Sequence, residues 1–175
     1  MLVNKGVRWA IAGRSQAKLN KLKEELAILV PNCNISDLDI IIVDTTQPET
    51  IHGLVKDTKA VISSAGPFWK YGSKVVEFCV KYGTDYVDTT GETGWNKEMI
   101  MKWNSIALKT GSKIISLCGM DSMPWDLSFY KLSQLVMDRD YDDHLVKAQF
   151  FDEIKGGISV RQYYLIFFLS IYKTR

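Results

Sequence analysis

Short apolar runs and longer amphipathic stretches alternate along this chain. Residues 7–12 read as a strand (Val, Trp, Ile and Ala) that ends in Gly13-Arg14-Ser15. Ser15 fits the N-cap of a helix whose Leu19, Leu22, Leu26 and Leu29 mark one face, and Pro31 stops it. Residues 39–43 form an isoleucine-rich run of the kind buried on both faces of a parallel sheet, closed by Asp44; a short, weakly patterned helix follows at 50–56. The next strand, 60–62, passes into the small residues Ser63-Ser64-Ala65-Gly66. Val75, Val76, Cys79 and Val80 then fall on one face of a helix over 72–82, and Gly83 stands where a C′ residue takes positive φ.

Tyr86-Val87 is the following strand. Trp95, Met99, Trp103, Ile106 and Ala107 recur at helical spacing up to Gly111, which predicts a helix over 93–109 with a core-facing aromatic stripe. Residues 113–117 read as a strand, and Pro124 suits the first turn of a helix that carries Leu127, Tyr130 and Leu135. Residues 145–151 read as a strand opening a second domain. Five alternations of strand and helix predict an α/β fold, a doubly wound parallel sheet. Such sheets bind ligands beyond the carboxyl ends of their strands, which places residues 64–68 and 88–92 at one rim.

Composition narrows the function classes. At 175 residues with 46% apolar content the chain suffices for one ordinary core, or one domain plus part of another. A net charge of +2 argues against a dedicated nucleic-acid binder. The three cysteines, Cys33, Cys79 and Cys118, show no metal-like spacing, and their odd count suits reduced thiols inside a cell. His52 and His144 stand in unrelated contexts without triad or ligand spacing. No signal-peptide pattern is visible, and the longest apolar run, 163–169, is far short of the ~20 residues a membrane helix needs.

Several local motifs then occur in one order: Gly66-Pro67-Phe68, Tyr71-Gly72, Asp85-Tyr86-Val87-Asp88, Thr90-Gly91-Glu92 and Cys118-Gly119-Met120-Asp121-Ser122-Met123-Pro124-Trp125-Asp126-Leu127. In these, over residues 7–157, the chain resembles the saccharopine dehydrogenase-like oxidoreductases. The resemblance implies a Rossmann-like fold, hydride transfer with NADP(H), and a small-molecule substrate that is lipid-like rather than an amino acid. It also implies cytoplasmic, mitochondrial or lipid-droplet association. The cofactor contacts it suggests are Arg14, Ser15 and Asp44 on one side and Ser64, Ala65, Gly66 and Pro67 on the other.

In dinucleotide-binding folds an Arg near the end of the second strand accommodates the 2′-phosphate of NADP. Position alone leaves Arg14 open between that role and a solvated side chain at a helix start. Gly-Arg-Ser before a Lys-Leu helix is similar to NADP-binding members and favours the phosphate. Tyr71, Asp88, Glu92 and Asp121 also fall on rim loops, so they are catalytic candidates. Each has a structural alternative: Asp88 and Asp121 as helix caps, Tyr71 as core, Glu92 as a favourable charge on the first turn of the helix at 93.

The strand pattern begins at what would be the second strand of such a fold. No G-x-G-x-x-G stands in the sequence to hold a pyrophosphate, so the expectation is weak or absent NADP binding by this chain. In the order 3-2-1-4-5-6 the absent strand would lie between 7–12 and 60–62, leaving two apolar edges facing a gap. Self-association through those edges is one expected outcome, and closure of the gap by direct pairing the other. The reading divides the chain into a partial NAD(P)-binding Rossmann-like domain at 1–138 and, at 139–175, the start of a second domain plus an atypical aromatic tail. The competing reading is a non-catalytic fragment that acts through protein association.

Overall fold

The structure, a computed structural model, describes residues 7–32, 34–120 and 122–138. Ten elements alternate as expected: β1 (Ala10–Gly13), α1 (Gln16–Leu29), β2 (Asp39–Ile42), α2 (Pro48–Val55), β3 (Ala60–Ser63), α3 (Phe68–Tyr82), β4 (Asp85–Asp88), α4 (Thr93–Thr110), β5 (Ile114–Ile115) and α5 (Met123–Met137). All strand pairs are parallel, with Ala10 opposite Asp39, Ala60 opposite Asp85 and Tyr86 opposite Ile114. The expected strand at 145–151 and the aromatic tail lie outside the described residues.

The strands form two sheets, β1-β2 and β3-β4-β5. Among the described residues β1 and β3 do not pair, so the expected closure of the gap is not what forms. Ile62 on β3 is 68% exposed, while its neighbours Val61 and Ser63 are buried. The alternation follows from the pleat, which sends successive side chains to opposite faces. Among the described residues one face of β3 is covered by helices, and the other is open. The isoleucine run of β2 departs from expectation for the same reason, because Ile42 is exposed instead of covered on both faces.

Helix α3 is the centre of the core. It packs against α2 on one side and α4 on the other. Val75, Val76, Cys79 and Val80 are buried against Ile51, Val55, Tyr86 and Trp103. Full burial of each such valine stabilises by about 1.5–3 kcal/mol. Cys79 is enclosed completely, and that burial pushes its thiol pKa up to about 12, so it is a core residue and no nucleophile. Gly83 and Gly111 end α3 and α4 at φ 71° and 79°, the left-handed conformation that favours glycine.

The outer helices are less covered than their patterns suggest. On α1 only Leu19 is buried, and on α5 no residue is. Leu22, Leu29, Leu127, Tyr130 and Leu135 are exposed. The apolar stripes are there, yet within the described residues little lies against them. Helix α3 also starts four residues before the expected position 72, and β5 spans two residues instead of five.

Gly72 explains how α3 and α4 come so close. A Cβ there would stand 2.8 Å from Trp95 Cζ2, and the Trp95 indole N–H donates to Ser73 Oγ at 2.9 Å. Alanine within a helix ordinarily stabilises by ~0.5–1 kcal/mol over glycine, but overpacking costs ~1–3 kcal/mol. Gly72→Ala should therefore lower the unfolding free energy by roughly 1–2 kcal/mol in urea titrations. An unchanged or raised stability would show that Trp95 moves freely.

Glu77 accepts from Lys74 Nζ at 2.9 Å and Lys81 Nζ at 2.6 Å, and these bonds hold its carboxyl below the ordinary value of 4.5. A carboxylate depressed on folding contributes stability above its unfolded pKa, and that contribution is lost as pH falls through the folded value. Between pH 6 and pH 3 the urea midpoint of the native chain should fall more steeply than that of Glu77→Gln. Parallel curves would remove this pair from the pH dependence.

Candidate functional site

The rim at the strand carboxyl ends gathers three turns. After β1, Arg14 and the N-cap Ser15 open α1; the Ser15 hydroxyl accepts from Lys18 N–H at 3.4 Å. After β2, Asp44 Oδ1 accepts from both Thr46 N–H at 2.9 Å and Thr46 Oγ1 at 2.7 Å. Those two bonds lower the Asp44 pKa, the backbone one most; burial opposes them, and the Arg14 charge adds the smallest lowering. Arg14 and Asp44 thus share one electrostatic neighbourhood, with the carboxylate engaged by its own turn.

Arg14 reaches across to the second sheet. Its guanidinium carbon lies 5.9 Å from the centroid of the Tyr71 ring, and Lys70 Nζ lies 5.1 Å from the same centroid. Cations within about 6 Å of an aromatic face are attracted by the ring quadrupole. Tyr71 is half-buried here, neither free nor core. Lys70 was not legible as a site residue, because its importance comes from a ring shared with a residue that is distant in sequence.

The turn after β3 holds Ser64, Ala65 and Gly66, all exposed, and the half-buried Pro67, joined to Gly66 by a cis peptide. Gly66 N–H donates to the Ser64 carbonyl at 3.0 Å. A Cβ on Gly66 would find ordinary contact distances of 3.4 Å and more, so packing within the chain does not demand glycine there. The candidate cofactor residues therefore form two groups, Arg14, Ser15 and Asp44 on one side of the gap and Ser64, Ala65, Gly66 and Pro67 on the other. The Arg14–Tyr71 contact is the bridge between them.

Among the catalytic candidates, Asp88 is fully buried and wholly engaged. Its Oδ1 accepts from Thr90 N–H at 3.0 Å and Leu117 N–H at 3.2 Å, and its Oδ2 from Ser116 Oγ at 3.2 Å. It caps no helix; it ties the turn after β4 to the turn after β5, where Leu117 sits at φ 63°. Burial, with Asp88 nearby, raises the pKa of both Tyr86 and Cys118. Glu92 likewise differs from expectation. It does not face the first turn of α4 but crosses to α3, accepting from Phe68 N–H at 2.9 Å and Trp69 N–H at 2.7 Å. Asp121 lies outside the described residues.

Among the described residues no three His, Cys, Asp or Glu side chains come together, and no helix is long and apolar enough to cross a membrane. What the rim offers is a cationic corner at Arg14 and Lys70, a small-residue turn, and a network of buried carboxylate and threonine bonds beneath it. Among the described rim acids, Asp88 and Glu92 accept hydrogen bonds at both carboxylate oxygens and Asp44 at one.

The chain as a whole is similar to known proteins. The family model described as the saccharopine dehydrogenase NADP binding domain matches residues 1–114. The chain is 36% identical over 160 residues to a trans-acting enoyl reductase of Mycobacterium leprae, covering 89% of this chain and 37% of the relative. It is 31% identical over 122 residues to a lipid droplet localized protein of Caenorhabditis elegans, covering 70% and 28%. In three dimensions it is similar to saccharopine dehydrogenase (L-Glu forming) of Saccharomyces cerevisiae, with a TM-score of 0.60 at 19% identity over 77% of this chain and 27% of that one. The chain thus spans well under half the length of these relatives, and the structural likeness confirms the Rossmann-like arrangement of parallel strands and helices. With the family model spanning the turns after β1, β2 and β3, this chain belongs to the saccharopine dehydrogenase NADP-binding domain family.

Proposed function

We propose that this chain supplies NADP(H)-binding residues of an oxidoreductase that transfers hydride to or from a small lipid-like substrate. The observation that carries the reading is the cationic corner, where Arg14 and Lys70 flank the Tyr71 ring beside the N-terminus of α1. That terminus has no acidic residue in its first turn, unlike α2 with Glu49 and α5 with Asp126. A helix N-terminus with a guanidinium beside it suits a phosphate. Arg14 and Ser15 take the 2′-phosphate, Asp44 borders the ribose, and the turn of Ser64, Ala65, Gly66 and Pro67 lies against the other half of the dinucleotide. Room for a Cβ at Gly66 supports contact from outside the chain as the reason for small residues there. Relatives named for enoyl reduction and for lipid droplets support the lipid-like substrate and a lipid-droplet location.

Ligand-observed NMR reads the weak affinities expected when no Gly-rich turn is among the described residues. NADPH should bind this chain more tightly than NADH. Arg14→Ala should remove most of that preference, since a charge-assisted contact contributes ~1.5–3 kcal/mol, about tenfold or more in affinity. Equal binding of NADPH and NADH by the native chain overturns the assignment.

Edges of β1 and β3 that are unpaired among the described residues favour a second activity, self-association. Parallel strands with unpaired edges template pairing with other chains, and Ile62 is 68% exposed on β3. Light scattering after size exclusion should show a dimer or larger species that Ile62→Lys shifts toward monomer. A native chain that runs as a monomer at all concentrations removes this reading.

A further inference from the structure

The first turn of α3 has no donor to spare. Its N-cap, Pro67, offers no side-chain bond. The Phe68 and Trp69 amides each donate to one oxygen of Glu92, at 2.9 and 2.7 Å. The next two amides, of Lys70 and Tyr71, both donate to the Pro67 carbonyl, at 3.2 and 3.0 Å. The Glu92 carboxylate is itself presented from a fixed base: its N–H donates to Thr90 Oγ1 at 3.0 Å, and Thr90 N–H donates to the buried Asp88 at 3.0 Å. A helix N-terminus attracts an anion, and here the chain supplies one from 24 residues away.

We infer that Glu92 is a positioning residue that acts as a tethered anion: it fixes the turn 64–67 and closes the N-terminus of α3 to phosphate. This rests on the proposed NADP(H) reading and deepens it, because it divides the rim by charge. A phosphate that approached α3 would meet a carboxylate instead of free amides. Phosphates are directed to Arg14 and Lys70, and the turn 64–67 is left for an uncharged group, the nicotinamide and its ribose or the reacting end of the substrate. The order of the motifs acquires a physical reason. Gly66-Pro67-Phe68 and Thr90-Gly91-Glu92 are the two halves of one clamp.

The test reads backbone amide hydrogen exchange at Phe68 and Trp69 in the chain and in Glu92→Ala and Glu92→Gln, with formate or inorganic phosphate as the added anion. In Glu92→Ala these two amides should exchange at least about tenfold faster, while Val76 and Val80 inside α3 keep their protection. Formate should restore slow exchange at both, which a lost packing contact would not allow. Phosphate should protect the same amides in the variant and leave the native chain unchanged. Should Glu92→Ala fail to fold, the isosteric Glu92→Gln carries the test, with one acceptor oxygen in place of two and the same response to phosphate. Unaltered exchange in the variants, absence of formate rescue, or phosphate protection in the native chain would each overturn the clamp. No nucleotide enters these measurements, so a chain that fails to bind NADPH while its amides behave as expected overturns the cofactor reading alone.

Discussion

The close approach of α3 to α4 is the constraint on which the rest of this molecule depends. A side chain at Gly72 would collide with Trp95 at 2.8 Å, so glycine is what lets the two helices share one layer over β3 and β4. Phe68 and Trp95 rings lie 5.8 Å apart just above it, a separation at which aromatic pairs attract beyond their buried area. With the helices at that distance, Thr110 Oγ1 at the end of α4 reaches the Val80 carbonyl at 2.7 Å. Glu92, at the N-cap of α4, reaches the start of α3 at the other end. Both ends of the pair are therefore fixed by polar bonds that exist only because the middle is tight. A rim turn hung on such a pair is held in place without a ligand.

How much of this was legible in the sequence varied with the range of the interaction concerned. The alternation of elements, the helix stops at Gly83 and Gly111 and the N-cap at Ser15 rest on neighbours within a few residues, and all three stand in the structure. The start of α3 was set too late because Phe68, Trp69, Lys70 and Tyr71 carry no helical period; their first turn is held by the Pro67 carbonyl and by Glu92. For Asp88 its place on a loop beyond a strand end suggests a helix cap or a catalytic role. Besides Thr90 two residues on, its partners are Ser116 and Leu117, nearly thirty residues on, and no local rule finds those two. Lys70 was missed in the same way, through a ring it shares with Arg14.

The exposed apolar faces belong to this same distinction. Periodicity on α1 and α5 reports which residues would face a core. It does not report that the core is there. Leu19 is buried, close enough to Gly13 that a Cβ added there would lie 3.5 Å from its Cδ2, whereas Leu29 at the far end of the same helix is exposed. The stripe is a property of the sequence alone, and burial belongs to the sequence together with whatever lies opposite. The two sheets show it at the level of strands, since among the described residues β1 and β3 are each hydrogen-bonded on one side only.

Charge completes the organisation of the rim. Two carboxylates, Asp88 and Glu92, are spent on backbone amides, and a third, Asp44, on the turn of Thr46. The cations beside them, Arg14 and Lys70, find an aromatic ring instead of a carboxylate. An ion pair would neutralise each cation and leave little field for a ligand, whereas a ring orients it and keeps its full charge. The negative groups therefore hold the scaffold while the positive ones face outward. That separation lets one short rim be rigid while its cations stay exposed, because the groups that give it shape are not those that give it positive charge.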